Sequence, residues 1–305
     1  NDYAIISNLS NLYRFSFSNG GNCETGFGTL IPQPYAGWHE SYSTSNGSND
    51  RAIFCGSTTW TLPISYTSIS VPLNNSKIFG DLTTGRYAPC ALSNTEYDRG
   101  LIIGCWNGAV TAPTTMEYIT ISRPENANIF GNMASKQSNG STCSNGINSK
   151  GIIIGNNYNY VNNNLSVQDI LHVDVSKLSN ALDFGRLSCR LAYWTISTDN
   201  RINNRGIIAG GSYRLGGVGV ATTNVIDYIS ITTPANAKLF GNLCSLCNQG
   251  VFVSNGVKNR AVATYEHTVP AILVSDMVNI SVLSDAVYFG DMLVSNMYNE
   301  GSSNC

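Results

Sequence analysis

Residues able to do chemistry are scattered along this chain. The three histidines, His39, His172 and His267, fall in different segments, and His172 stands where comparable segments carry Tyr118 and Tyr228. Glu117 and Asp227 each precede one of those tyrosines. A catalytic carboxylate pair is needed once, at one centre and one separation, so an acid that recurs with its surroundings argues for structure. Cys244-Ser-Leu-Cys247 has redox or zinc spacing, but no second pair and no nearby histidine completes a site. A P-loop, a Gly-x-Ser-x-Gly elbow and a Ser-x-Asp-x-Gly-x-x-x-Trp box are all missing from the sequence. The expectation is a chain with no catalytic residue, no metal and no cofactor.

What positions these residues is a repeat. A Phe-Gly pair recurs at Phe27, Phe79, Phe130, Phe184, Phe240 and Phe289, at intervals of 52, 51, 54, 56 and 49 residues. Such a period marks one supersecondary unit stacked on copies of itself. Downstream of each of the first five pairs comes a short apolar strand opened by a basic residue, at Arg51, Arg99, Lys150, Arg205 and Arg260. Upstream lies an alternating strand: Arg14–Phe17, Ser68–Val71, Tyr118–Ile121, His172–Val175, Tyr228–Ile231 and Asn279–Val282. Period-two alternation turns their apolar residues inward and their Ser, Thr and Asp residues outward. The Phe-Gly pair sits in a third strand, and segments such as Tyr87–Ser93 and Gly250–Ser254 supply a fourth.

Six repeats of four strands predict an all-β, six-bladed β-propeller occupying residues 1–305 as a single domain. Phase adds a detail at the ends. Asp2–Ile6 aligns with the basic-residue strand, and Met292–Tyr298 aligns with an innermost strand, so a C-terminal strand should complete the N-terminal blade and close the ring. Closure would remove two exposed sheet edges.

Arg205-Gly-Ile-Ile-Ala-Gly-Gly211, followed by Ile226-Asp-Tyr-Ile-Ser-Ile231 and Asn236-Ala-Lys-Leu-Phe-Gly-Asn-Leu243, resembles a degenerate kelch repeat. More narrowly, it is similar to the kelch-like repeats of phage and large-virus structural proteins. The likeness runs along nearly the whole chain and is closest at residues 79–133 and 205–243, while five of six repeats lack the double glycine. It implies a kelch-like propeller at a virion surface.

Composition fits such a module. Charged residues make up 12% of the chain, and the net charge is −2 with no basic run, so a nucleic-acid partner is not expected. No run of 18 apolar residues occurs, so no membrane span is expected. The sequence starts at Asn1 without an initiator Met or a visible signal peptide, which favours an exported or processed protein over a cytosolic one. Six Asn-x-Ser sequons, at Asn8, Asn46, Asn74, Asn139, Asn164 and Asn279, could accept glycans in a glycosylating host. Nine cysteines cannot all pair within the chain; most are expected to be buried apolar residues, and Cys305 is the candidate for an intermolecular disulfide.

Function should lie in what the repeats do not share. Connections leaving the basic-residue strand carry Trp60, Trp106, Tyr158, Tyr160, Tyr213, Arg214 and His267, and those leading into the next repeat carry Trp38, Arg86 and Tyr87. In a propeller both sets emerge on one face. Aromatic side chains there can stack on sugars or grip a protein with little loss of rotamer entropy. The expected function is a non-enzymatic virion structural, decoration or tail-fibre module that binds other virion or surface structural proteins, located at a virion surface or extracellularly. An extracellular lectin or adhesin for host-surface glycans is the alternative. A propeller glycosidase or lyase, the third reading, would need carboxylates converging in the central channel.

Overall fold

A computed structural model of the chain is a ring of six antiparallel sheets, called blades I to VI below. It describes residues 3–303 except 9–10, 18–23, 31–41, 46–48, 57–61, 72–73, 95, 105–113, 135–137, 145, 147, 157–167, 190–193, 201–202, 215–219, 248, 257, 269–270 and 293–298. Blade I contains β1 (Tyr3–Asn8), β2 (Asn11–Ser16) and β3 (Glu24–Thr29). Blade II is β4 (Tyr42–Thr44), β5 (Arg51–Cys55), β6 (Pro63–Ser68) and β7 (Lys77–Asp81). Blade III is β8 (Cys90–Asn94), β9 (Arg99–Ile103), β10 (Thr115–Thr120) and β11 (Asn128–Asn132). Blade IV is β12 (Ser138–Cys143), β13 (Lys150–Asn156), β14 (Asp169–Asp174) and β15 (Leu182–Arg186). Blade V has five strands, β16 (Ile196–Asn200), β17 (Arg205–Ala209), β18 (Ser212–Arg214), β19 (Val220–Ser230) and β20 (Lys238–Cys247). Blade VI is β21 (Gly250–Ser254), β22 (Arg260–Thr268), β23 (Ala271–Asn279) and β24 (Val287–Met292). First strands of neighbouring blades touch one another around the axis. Among the described residues there is no helix, and so none long and apolar enough to cross a membrane.

The ring closes as the phase predicted, but with a different strand. β25 (Asn299–Ser303) pairs antiparallel with β1, setting Ala4 opposite Ser303 and Asn8 opposite Asn299. The segment expected to do this, Met292–Tyr298, begins as the end of β24, where Met292 pairs with Leu273; its remainder lies outside the described residues. The reason is that β23 is longer in blade VI and gives β24 extra partners. A second correction concerns phase. Ser68–Val71 and Asn279–Val282 are not the strands themselves, since β6 ends at Ser68 and β23 at Asn279. Ile69 and Ile280 mimic continued alternation because both are buried just past the strand ends.

The core lies between blades. One cluster joins Leu101, Ile103, Met116 and Phe130 of blade III to Ile153, Val173 and Val175 of blade IV, and each of the other seams has an equivalent. Outer strands approach so closely that the Phe-Gly glycine has no room for a side chain. A Cβ on Gly80, Gly131, Gly185 or Gly241 would sit 2.0–2.3 Å from a backbone oxygen of the next blade. The residue after this glycine is then clasped from both sides. Its N–H donates to Asn75, Asn126, Asn180, Asn236 or Asp285 at 2.8–3.1 Å. Its carbonyl accepts the N–H of the residue following that Asn or Asp, at 2.8–2.9 Å.

The basic column, at the start of the second strand of each blade, serves the same seams. Arg51, Arg99, Lys150, Arg205 and Arg260 each donate to a backbone carbonyl of the following blade, at 2.6–3.1 Å. Arg51, Arg99 and Arg205 also lie over Tyr66, Tyr118 and Tyr228 at 4.9–5.3 Å, and each tyrosine meets the Phe of its Phe-Gly pair edge-on. Blade I exchanges the two partners between strands. Tyr3 takes the basic position, and Arg14 on the neighbouring strand stacks on it at 4.2 Å and donates to the Ser70 carbonyl of blade II at 3.3 Å.

Candidate functional site

The antiparallel order gives the ring two unlike ends. Tight turns, joining first to second and third to fourth strands, form a turn face; the remaining connections form a loop face. On the loop face the blades are unequal. β19 and β20 have 11 and 10 residues and β22 and β23 have 9 each, against five or six in β5, β6, β9 and β10. Three to five extra residues at about 3.3 Å each extend the strands of blades V and VI by about 10–16 Å beyond those of blades II and III.

This raised wall is braced across its seam. Tyr265, fully buried on β22, donates its hydroxyl to Asp276 Oδ2 at 2.5 Å, while its oxygen accepts the Ser245 N–H of blade V at 3.1 Å. The Cys244 N–H also reaches Asp276 Oδ2, at 2.8 Å. Burial, with the Asp276 carboxylate beside it, pushes the Tyr265 hydroxyl far above its ordinary value. The double glycine that follows the basic-residue strand β17, Gly210-Gly211, belongs to this wall. Gly210 has φ +61°, and a Cβ there would lie 2.6 Å from that of Cys247, so only glycine admits the extended β20.

Of the residues predicted to bind, Tyr213 is half-buried on β18, Arg214 ends that strand, and His267 lies in β22 opposite Ile272. All three belong to the raised wall. Trp38, Trp60, Trp106, Tyr158 and Tyr160 lie outside the described residues, as do Asn46, Asn164 and Cys305. Among the other sequons, Asn279 is exposed and accepts the N–H and hydroxyl of Ser281, whereas Asn74 sits in the clasp with its N–H on the Phe27 carbonyl. Asn8 and Asn139 lie on β1 and β12. Cys55, Cys90, Cys143 and Cys247 are buried, Cys189 is half-buried, and only Cys244 of these six cysteines is exposed. Burial pushes the Cys90 thiol up to about 12.

Arg86 corrects the picture of the loop face. Grouped in sequence with exposed binding residues, it is fully buried and donates to Glu117 Oε1 through Nε and Nη2, at 3.0 and 2.7 Å. Its other donors reach the carbonyls of Gly104 and Thr115, at 2.8 and 2.9 Å. The acid column is a set of blade staples, as its repetition implied. Glu117, Asp227 and Asp276 each accept a backbone N–H from the preceding blade, at Thr83, Ser188 and Cys244. Asp227 takes the Ser188 hydroxyl as well, and burial raises its pKa despite those bonds. Asp276 was missed in sequence, although it precedes Met277 as Glu117 precedes Tyr118; correct phasing of blade VI would have revealed it.

No protein-family model matches this chain, and no curated protein matches it either. Solved structures do: 326 chains match, a number that makes the likeness one of fold and not of role. One, described as the structure of YjhT, superposes with a TM-score of 0.66 at 10% identity, covering 91% of this chain and 92% of that one. At that identity it supports the propeller fold alone.

Proposed function

We propose that this ring is a non-enzymatic binding module acting through its loop face, as a structural or decoration component of a virion surface, tail or fibre. One observation carries the proposal: the residue columns able to do chemistry are engaged between blades, and the described unshared residues Tyr213, Arg214 and His267 lie on the extended strands of blades V and VI. Arginines and lysines of the basic column hold carbonyls of the next blade, and the acids Glu117, Asp227 and Asp276 hold N–H groups of the preceding one. Partners in this reading are other virion or surface structural proteins, and the location is a virion surface or extracellular. The resemblance to viral kelch-like repeats supports that setting, and the braced wall bearing Tyr213, Arg214 and His267 supports binding on a rigid base.

A second reading is an extracellular glycan-binding propeller, favoured by the aromatic residues Trp60, Trp106, Tyr158, Tyr160 and Tyr213 in the unshared connections. A purified particle and a glycan array separate the two. The structural reading expects a fixed copy number with extensive protein contacts; the second expects the isolated chain to bind particular glycans. In either case, joint replacement of those five aromatics by Ala should abolish binding, and intact binding would place the function elsewhere.

A further inference from the structure

The turn face carries a feature the loop-face reading does not use. At the corner of blade II a pocket of about 270 Å³ is lined by Asn49, Asp50, Arg51, Tyr66, Asn74, Asn75 and Lys77, among others. Its hydrogen-bonding inventory is lopsided. The one carboxylate, Asp50, already accepts the Ser68 hydroxyl at 2.5 Å and the N–H and hydroxyl of Ser70 at 3.0 and 2.5 Å. The Arg51 guanidinium rests on the Tyr66 ring and donates Nη1 to the neutral Ile121 carbonyl, and it forms no ion pair among the described residues. Lys77 is exposed and has no carboxylate partner among the described residues. Asn75 has its oxygen committed to the N–H and hydroxyl of Thr29, which leaves its NH₂ as a donor.

Two cations and the Asn75 NH₂ therefore line a cavity that holds one carboxylate, so positive charge exceeds negative there by one. Other blades do not reproduce this corner. Where blade II has Lys77, two residues before the Phe, blades III, IV and VI have Asn128, Leu182 and Val287. Blade V has Lys238, but the residue before its clasp Asn is Ala235 in place of Asn74. The position of Asn74 in blade III is Glu125, an acid that would repel an anion. The corner is partly open to solvent, with Arg51, Tyr66 and Asn74 half-buried and Asn75 and Lys77 exposed, so an oxyanion can enter it and meet charge-assisted donors.

We propose that this corner is a binding site for an oxyanion, the sulfate, phosphate or carboxylate group of a small ligand or acidic sugar, with Lys77 and Arg51 supplying charge and Asn74 and Asn75 supplying neutral donors. A glycan attached at Asn74 would obstruct it, so the test uses chain made in a host that does not glycosylate. Calorimetric titration with inorganic sulfate is expected to show saturable binding. Lys77→Ala, an exposed change that leaves the melting temperature in place, should weaken it at least about tenfold, the effect of losing one charge-assisted bond. Asn74→Ala should weaken it by a smaller factor.

An array pairing sulfated or carboxylated oligosaccharides with their neutral parents then identifies the source. Retention of acidic sugars alone assigns the site to a glycan, and binding of the inorganic ion without the sugars assigns it to a free anion; both support the site. Absence of saturable sulfate binding, or equal binding by Lys77→Ala, overturns it. Because the loop face is at the other end of the ring, the five-aromatic variant should bind sulfate normally, which separates failure here from failure there.

Discussion

Arg86 places two of its nitrogens on one oxygen of Glu117, and both side chains are sealed from solvent. The Glu117 second oxygen holds the Thr83 N–H at 2.6 Å, so one buried group ties the connection leaving blade II to the third strand of blade III. Such a pair contributes less by attraction than it costs when broken, because removal of one partner strands the other charge in a dry site.

Glu117→Ala should therefore lower stability by about 3–5 kcal/mol in chemical denaturation. Replacing both residues, Arg86→Met with Glu117→Leu, should recover part of that loss, though the Gly104 and Thr115 carbonyls would still lack their donor. If the double variant is no more stable than the single one, the stranded charge is not the source of the cost.

Gly131 tests the seam geometry directly. A methyl group there would lie 2.0 Å from the Ser179 oxygen, a contact that backbone on both sides must relieve. Gly131→Ala is expected to destabilise by about 1–3 kcal/mol or more, the range for overpacking. Gly26, which has φ +74° and nothing within 4 Å of a built Cβ, provides the contrast: its Ala variant meets backbone strain but no collision. A Gly131→Ala protein with unchanged melting temperature would refute the role assigned to the Phe-Gly repeat.

His172 gives blade IV a response to acid that its neighbours lack. It meets Phe184 edge-on as the tyrosines meet their Phe, and its partner in the basic column is Lys150. Burial first, then the Lys150 charge, lowers its pKa, with Asp183 opposing. A base with a lowered native pKa resists protonation when folded, while the unfolded chain takes its proton near the ordinary value of about 6.5. Stability should fall as pH drops from about 6.5 through the lower native pKa, and be unaffected by this group above that window. His172→Tyr, which copies the other blades, should remove this component from melting curves taken across pH 7.5 to 5; an identical slope in the variant would dismiss it.

The parts of this fold that could be read from sequence are the parts that touch another blade. Phe-Gly and the Asn before Ala recur because each is fixed by the same close approach, and the basic column recurs because each member reaches a carbonyl next door. Blade VI misled because Ile280 packs down beyond its strand, extending the look of alternation by two residues and hiding Asp276. Arg86 misled for a different reason: its partner is distant in sequence, and nothing local distinguishes an arginine that folds inward from one that faces water. The pocket beside Lys77 has no sequence signature, since it depends on what Asp50 has already bonded.

Every latch in the basic column points the same way around the ring, from each blade to its successor, with Arg14 and Arg260 carrying the sense through blade I. In the language of assemblies this is a heterologous, head-to-tail contact that is harmless only because the rotation closes. A single blade pair cut from the ring would present a donor surface on one side and its complement on the other, and would be left to find further copies with which to close. Covalent continuity delivers all six units in one chain, so the ring closes on itself without recruiting a second copy.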